Sequence, residues 1–283
     1  MKLIRFGEAG LEKPGVEIDG VRYDVSDLVD DYNEAFFAED GFAKLQSSFD
    51  ATQAKTVSAE VRLGPPLARP SKLICIGLNY RKHAEESGMA VPQEPVIFFK
   101  STTSIVGPFD DVVIPRGSEK TDWEVELAVV IGKQASYITK DEAMDYVAGY
   151  SLHNDVSERA YQLERGGQWV KGKSCDTFAP LGPYFVSKDD VADPHRLNLW
   201  LLLNGKKVQD GNTDDFIFDV PTVVSYLSEF MTLLPGDIIS TGTPEGVGLG
   251  FKPPVYLKPG DVMELGIDGL GVSKQSVVAF EDR

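Results

Sequence analysis

Several residue types and patterns are scarce in this chain of 283 residues, and each scarcity excludes a class of protein. Two cysteines, Cys75 and Cys175, are too few for a disulfide framework. Cys75 lies within an apolar run and is predicted to be a buried packing residue. Only three histidines occur, and no group of cysteines and histidines has the spacing of a zinc site.

Positive charge and long apolar runs are also scarce. The chain has 28 Lys and Arg against 44 Asp and Glu, a formal net charge of −16. This balance argues against nucleic acid or a membrane surface as a partner, while a small anion sees only the local field. No apolar run approaches the roughly 20 residues of a membrane span, and the first residues lack the apolar core of a signal peptide. We expect a cytoplasmic protein.

Short strands separated by glycine and proline turns dominate the rest of the pattern. Residues 1–68 are predicted to form a small α+β domain that ends in a proline-rich connector, and residues 69–283 a larger, strand-rich domain. Helices are predicted over 140–147, 157–165 and 222–230. So few crossover helices favour an α+β fold with a mixed β-sandwich or roll over a doubly wound sheet.

The most informative feature is a pair of glutamates, Glu124 and Glu126, at the start of a run that becomes continuously aliphatic. The run predicts a strand that enters a core, so these two side chains point to the same face. Like charges this close repel, and burying them unpaired is unfavourable. A hard divalent cation between them would remove the conflict. The alternative, a strand whose second face is solvated, stays open on these residues alone.

A second acidic cluster, residues 153–158, follows another short apolar run and places Asp155 where that run ends. Glu124, Glu126 and Asp155 together would form a site made only of carboxylates. Oxygen ligands favour Mg²⁺ or Mn²⁺, or Ca²⁺, over zinc or copper.

A histidine and a glutamate follow the predicted strand that ends at residue 77. His83 and Glu86 are three residues apart and share a face if the segment is helical. A carboxylate that orients an imidazole makes a general base near neutral pH. An ordinary charged surface helix is the alternative.

Residues 167–174 match the phosphate-loop pattern of nucleotide-binding proteins, but we reject that interpretation. The motif requires a strand before it and a helix after it. Here a helix is predicted before it, and the prolines at 180 and 183 prevent a helix after it. Lys173 remains of interest as a cation beside the acidic cluster, and Lys100 either balances charge or is a solvated lysine at the end of its strand.

Taken together, these segments resemble the fumarylacetoacetate hydrolase family over about residues 72–280. The order and spacing of many pieces carry the resemblance, and the pieces are residues 77–80 with His83 and Glu86, 99–100, 124–126, 154–155, 171–174, 204–205, 234–237 and 241–247. The family fold is a mixed β-sandwich roll, usually homodimeric, often with a small N-terminal domain.

The resemblance implies roles for individual residues. It implies that Glu124, Glu126 and Asp155 bind Mg²⁺ or Mn²⁺, and that His83 and Glu86 activate water. It further implies that Lys173 acts in catalysis and that substrate is contacted by these residues: Lys100, Arg159, Gln162 and Thr243.

The implied activity is hydrolysis of a carbon–carbon bond in an anionic 2,4-dioxo acid. The branch that this chain is most similar to cleaves 2,4-diketo-3-deoxy sugar acids such as L-rhamnonate or L-fuconate derivatives to pyruvate and lactate. Oxaloacetate decarboxylase, another acylpyruvase and ureidoglycolate lyase are alternatives. A non-catalytic protein that binds a metal and a 2-oxo acid, or a structural Ca²⁺ site, would belong to a different class.

Overall fold

Two β-sheets pack face to face in the computed structural model, which describes residues 1–282. The strands are β1 (Lys2–Phe6), β2 (Lys13–Ile18), β3 (Val21–Asp24), β4 (Lys55–Val57), β5 (Leu63–Gly64), β6 (Leu73–Gly77), β7 (Val96–Lys100), β8 (Ile105–Val106), β9 (Val112–Ile114), β10 (Thr121–Asp122), β11 (Val125–Ile131), β12 (Val147–Asn154), β13 (Ser157–Glu158), β14 (Ala179–Pro180), β15 (Phe185–Ser187), β16 (Asn198–Leu203), β17 (Lys206–Asn212), β18 (Ile238–Ser240), β19 (Val262–Ile267) and β20 (Gly271–Ala279). The α-helices are α1 (Glu34–Ala38), α2 (Gly41–Ser48), α3 (Arg81–Glu86), α4 (Arg159–Leu163), α5 (Val170–Lys173) and α6 (Val220–Phe230).

The larger sheet has 11 strands in the order β4-β3-β2-β1-β15-β12-β11-β18-β6-β7, with β5 paired to β1. The smaller sheet has five, in the order β17-β16-β19-β20-β9. Most pairs are antiparallel, but β18 runs parallel to β6 and β20 parallel to β9. The predicted strand-rich α+β sandwich is confirmed.

Strand β11 shows how the sequence sets the layers. Its odd-numbered side chains, such as Val125 and Leu127, pack in the core between the two sheets with residues of β16 and β19. Its even-numbered side chains point the other way, and Ala128 and Val130 pack against a second core that includes the N-terminal helices. Since side chains alternate along a strand, Glu126 lies on this second face, at the end nearest β10.

The N-terminal segment joins the larger sheet through a strand pair. Lys2 and Leu3 of β1 pair with Val186 and Phe185 of β15, so hydrogen bonding continues across the predicted boundary near residue 68. The division into residues 1–68 and 69–283 stays a prediction, and Arg283, the last residue of the second unit, lies outside the described residues.

Only one of the three helix predictions corresponds closely to a helix of the structure. The helix predicted over 140–147 is wrong except for one 3₁₀ turn, Ala143–Tyr146, because Val147 pairs with Ile131 and starts β12. The helix predicted over 157–165 is shortened to α4, since Ser157 and Glu158 pair with β10. The third prediction corresponds to α6, which Asp219 caps by accepting the backbone N–H of Thr222.

Among residues 1–282, no helix combines the length and the apolarity that a membrane crossing requires. Cys75 is fully buried in the second core, in agreement with the packing role predicted for it.

Candidate active site

Strands β11 and β12 bring the three predicted carboxylates together. Glu124 directly precedes β11, Glu126 lies in it, and Asp155 directly follows β12. The antiparallel register pairs Val125 with Asn154, and the N–H of Asp155 donates to the carbonyl of Glu124 at 2.9 Å. One oxygen from each carboxylate lies within 4.8 Å of the other two. All three side chains are buried.

Three cations surround this carboxylate cluster. Nζ of Lys173 lies 2.7 Å from both Glu124 and Asp155. Nζ of Lys100 donates to Oδ1 of Asp155 at 2.5 Å. Nη2 of Arg159 lies 2.7 Å from Oε1 of Glu124. Burial alone would lower the pKa of Lys173, but Asp155 and Glu124 outweigh it and hold that pKa above its ordinary value. Lys173 is therefore a fixed positive charge.

Glu126 is the member of the cluster that no cation contacts among the described residues. Its Oε2 accepts hydrogen bonds from the Ser240 hydroxyl at 2.6 Å and the Gly242 N–H at 2.9 Å. Burial raises the pKa of Glu126 well above its ordinary value, and Asp155 and Glu124 raise it further. The three carboxylates of the cluster therefore carry three negative charges, and the two lysines balance two of them. Arg159 does not balance the third, because its positive charge is already paired with the Asp122 carboxylate at 2.8 Å. One carboxylate charge is left without a partner.

His83 and Glu86 lie on one face of α3, as their spacing predicts. Nδ1 of His83 is 3.5 Å from Glu86, a distance longer than a good hydrogen bond. Glu86 also accepts the backbone N–H of Gly246 at 3.1 Å. Burial would raise the pKa of Glu86, but the contacts with His83 and Gly246 outweigh it and lower that pKa. Contacts of this kind are often long without substrate and shorten in the reacting complex.

One cavity of about 620 Å³ joins the two groups of residues. Its lining includes His83 and Glu86 on one side and Glu124 and Glu126 on the other. Its volume lies within the roughly 300–1,000 Å³ that small-molecule sites occupy. A second cavity of about 580 Å³, formed mainly by residues 114–119, 254–259 and 279–281, contains none of the predicted site residues.

The other predicted contact residues fall into two groups. Arg159, Gln162, Lys173 and Thr243 line the cavity. Lys100 does not line the cavity. Its Nζ is buried against Asp155 and also donates to the carbonyl of Val156 at 2.9 Å. Its position suits holding Asp155 in place rather than contacting a ligand.

Two polar residues of the site were not predicted. Asp122 is fully buried and accepts from Arg159, from Gly248 N–H at 2.6 Å and from Leu249 N–H at 3.0 Å. Ser240 links Glu126 to His153, whose Nδ1 lies 2.6 Å from the serine oxygen. Asp122 stands two residues before Glu124 in the sequence, and this spacing could have predicted it as a residue of the site. Ser240 is 114 residues from Glu126 and gave none.

Burial lowers the pKa of His153 to about 3, so its ring is neutral. Because the single hydroxyl proton of Ser240 is donated to Glu126, Nδ1 of His153 must donate to the serine oxygen. The Nε2 atom of the same ring is buried without a hydrogen-bond partner among the described residues.

The structure agrees with the rejection of a phosphate loop at residues 167–174. Helix α4 precedes the segment, and the segment itself ends in the four-residue helix α5. The strand–loop–helix arrangement that holds phosphates is therefore not formed there.

The donor set fits a hard divalent cation. Two oxygens that are each 2.0–2.6 Å from one ion lie at most roughly 5 Å apart, and the three carboxylate oxygens meet this limit. Each carboxylate oxygen has two lone pairs, so the lysine contacts do not exhaust its capacity. The unpaired charge on Glu126 is what such an ion would balance.

Comparison with known proteins identifies the family. Residues 72–278 match the model for the fumarylacetoacetate (FAA) hydrolase C-terminal domain, and the chain therefore belongs to the fumarylacetoacetate hydrolase family. The resemblance predicted from the sequence is confirmed.

Individual relatives cover almost the whole chain. A Burkholderia ambifaria protein named "Putative hydrolase" is 52% identical over 278 residues, which are 98% of each chain. The fumarylacetoacetate hydrolase from psychrophilic Exiguobacterium antarcticum is 39% identical, with a TM-score of 0.88 and 99% of both chains covered. The maleylpyruvate hydrolase from Sphingobium sp. SYK-6, solved in complex with manganese(II) ion and pyruvate, is 30% identical, with a TM-score of 0.82 and 99% of both chains covered.

Proposed function

We propose that this protein is a divalent-metal-dependent hydrolase that cleaves the bond between carbons 3 and 4 of a 2,4-dioxo acid. The products are pyruvate and a carboxylic acid. Mg²⁺ or Mn²⁺ is the proposed cofactor, held by Glu124, Glu126 and Asp155.

One observation carries the proposal: Glu124 and Glu126 of the acidic cluster line the same cavity as the His–Glu pair, and Asp155 lies within 4.8 Å of both glutamates. A structural metal site would need the first group but not the second. A purely binding protein would also have no use for a base beside the ligand. The pair of His83 and Glu86 therefore favours an enzyme over both alternatives.

The solved relatives support the choice of ligand and metal. The Sphingobium maleylpyruvate hydrolase contains manganese(II) and pyruvate, one metal of the proposed kind and one proposed product. Its chain aligns with 99% of this one, so the same fold surrounds the site.

A divalent cation bound by the three carboxylates would polarise the 2-oxo acid end of the substrate and stabilise negative charge that develops on it. The remaining steps belong to this chain's own side chains. His83, oriented by Glu86, takes a proton from a water molecule, and the water oxygen bonds to carbon 4. The oxygen on carbon 4 then re-forms its double bond as the bond between carbons 3 and 4 breaks, and the electron pair of that bond stays on carbon 3. Carbon 3 takes the proton that His83 accepted from water and becomes the methyl group of pyruvate.

The surrounding polar residues have separate proposed roles. Lys173 supplies a fixed positive charge beside the substrate carboxylate, because its Nζ is held between Glu124 and Asp155. Arg159, Gln162 and Thr243 line the cavity and contact substrate. Lys100 acts as a positioning residue that holds Asp155.

The specific substrate is a finer proposal, which rests on the resemblance to one branch of the family. We propose 2,4-diketo-3-deoxy-L-rhamnonate or its fuconate counterpart, cleaved to pyruvate and lactate. Oxaloacetate decarboxylation and ureidoglycolate cleavage are the competing activities, and a homodimer is the proposed assembly.

A panel assay tests this function. Purified protein is treated with EDTA, reloaded with Mn²⁺ or left empty, and pyruvate release is measured from acetylpyruvate, the rhamnonate derivative and oxaloacetate. The proposal requires metal-dependent pyruvate release from the 2,4-dioxo acids that exceeds the release from oxaloacetate. Pyruvate release from oxaloacetate alone would make the protein a decarboxylase, and no pyruvate from any substrate would contradict catalysis of this type.

A further inference from the structure

One wall of the active-site cavity is apolar although it is accessible to solvent. Met89, Leu163 and Leu249 all line the cavity and are 50%, 47% and 38% exposed. They come from three separate segments of the chain: the end of α3, the end of α4 and the glycine-rich loop after β18. We call these three side chains the apolar rim.

Local structure fixes each member of the apolar rim. Helix α3 ends in a Schellman motif, in which Gly88 has φ +65° and the N–H of Met89 donates to Ala84. Leu163 is the last residue of α4. The N–H of Leu249 is held by the buried carboxylate of Asp122 at 3.0 Å.

Two aromatic rings continue the wall toward the acidic cluster. Phe98 and Trp169 meet edge to face with ring centroids 5.5 Å apart. Gly77 makes room for the Trp169 ring, since a Cβ there would lie 2.6 Å from it. Nζ of Lys173 is 4.9 Å from the Phe98 ring centroid. The apolar wall therefore begins directly beside the place proposed for the 2-oxo acid end of the substrate.

Most polar groups in the cavity are already bonded to one another. Arg159 contacts Asp122, Glu124 and Gln162. The Thr243 hydroxyl donates to the carbonyl of Val125 and accepts from Gln209. A chain of hydroxyl groups on the substrate would therefore compete with these internal contacts. Lys252 also lines the cavity and forms no ion pair within the described residues, but it is an exposed side chain.

We infer that the apolar rim binds the acyl part of the substrate and selects uncharged acyl groups with an apolar end. This inference rests on the proposed function and adds the substrate class. The terminal methyl of a 6-deoxy sugar acid fits this class, and unbranched alkyl chains fit it better. Acyl groups that end in a carboxylate are disfavoured.

The first experiment measures kcat/KM of the Mn²⁺-loaded enzyme for acetylpyruvate, butanoylpyruvate, hexanoylpyruvate and succinylpyruvate. Each methylene buried against the rim raises kcat/KM by about threefold to fourfold. Butanoylpyruvate should therefore exceed acetylpyruvate by roughly tenfold, and succinylpyruvate should fall below butanoylpyruvate. A preference for succinylpyruvate that Lys252→Met abolishes would overturn the inference and assign the wall to a dicarboxylate.

The second experiment removes the apolar character of the rim without a large change of volume. Leu249→Gln, Leu163→Gln and Met89→Gln should each lower the ratio of kcat/KM for hexanoylpyruvate over acetylpyruvate by roughly threefold or more. Val170→Gln is the matched control, because Val170 is 42% exposed but does not line the cavity. An unchanged ratio in all three rim variants would overturn the inference.

A third measurement separates this inference from the proposed function. Calorimetry compares the binding of pyruvate, 2-oxohexanoate and 2-oxoadipate to the Mn²⁺-loaded protein. Absence of turnover on every acylpyruvate would refute the proposed function alone. Tighter binding of 2-oxohexanoate than of 2-oxoadipate, weakened in Leu249→Gln, would still support the apolar rim, and the reverse order would refute it.

Discussion

The hydroxyl of Ser240 donates to Glu126 across 2.6 Å, although the two residues lie on different strands and 114 positions apart. His153 contacts the same hydroxyl at 2.6 Å from the other side. The carboxylate with no cation partner among the described residues is thus held in one orientation by a chain of neutral donors.

Ser240→Ala should weaken binding of the divalent cation by about 10- to 100-fold, because it removes the donor that orients Glu126. The measurement is a Mn²⁺ titration followed by electron paramagnetic resonance. Ser228→Ala is the control, since that buried hydroxyl donates to the carbonyl of Ser225 within α6. Equal affinities in the two variants would show that the contact with Ser240 does not position a metal ligand.

Glu126→Gln should have opposite effects on stability with and without metal. The pKa of Glu126 is higher in the folded state than in the unfolded state. The contribution of this side chain to stability is therefore present below the unfolded-state pKa and is lost as the pH rises through the folded-state pKa. After EDTA treatment, the variant should therefore melt above the wild type at pH 8 and close to it at pH 5. Each kcal/mol corresponds to about 2–4 °C in Tm.

Addition of Mn²⁺ should raise the Tm of the wild type by mass action and leave that of Glu126→Gln nearly unchanged. Glu60→Gln, at an exposed position, serves as the control and should follow the wild type throughout. A Glu126→Gln protein that is less stable than the wild type without metal would mean that the unpaired charge is compensated in some other way.

Glu86→Gln should lower kcat by about 10²-fold or more while leaving Mn²⁺ affinity unchanged. Its effect on kcat should also be non-additive with that of His83→Ala, because both variants break the same contact between His83 and Glu86. Glu85→Gln changes the neighbouring exposed carboxylate, which does not line the cavity, and should have neither effect. Additive losses of kcat in the double variant would argue against coupling between Glu86 and His83.

Asp122→Asn should lower the free energy of unfolding by about 3 kcal/mol, the usual effect of removing one partner of a buried ion pair. The new amide would place N–H groups against the Leu249 N–H and the Arg159 guanidinium, both of which donate to the carboxylate. Chemical denaturation measures the change. Asp219→Asn, which alters the cap of α6 and an exposed ion pair with Lys140, should cost about 1 kcal/mol or less. Equal losses in the two variants would contradict a special role for Asp122.

Local spacing predicted the part of the site that depends on short segments. Glu124 and Glu126 share a face because strand side chains alternate, and His83 and Glu86 do so because they are three apart on a helix. Asp155 was found because it follows an apolar run. In each case, two or three neighbouring positions were enough to predict the direction of the side chain.

What the sequence did not reveal depends on pairing between distant segments. Ser240 reaches Glu126 because β18 pairs with β11, and nothing local to either strand predicts that neighbour. The resemblance implied that Lys100 contacts substrate, whereas its Nζ pairs with Asp155, as the alternative charge-balancing role predicts. The predicted helix over 140–147 failed for the same reason, since strand pairing at Val147 overrides the helical pattern.

The most direct test of the account is the release of pyruvate from acetylpyruvate as metal is restored to EDTA-treated protein. The account predicts negligible activity without metal, a linear rise with added Mn²⁺, and a plateau at one ion per chain that Glu126→Gln fails to reach. Full activity in the metal-free protein, or an equal response in Glu126→Gln, would contradict a catalytic cation held by the three carboxylates.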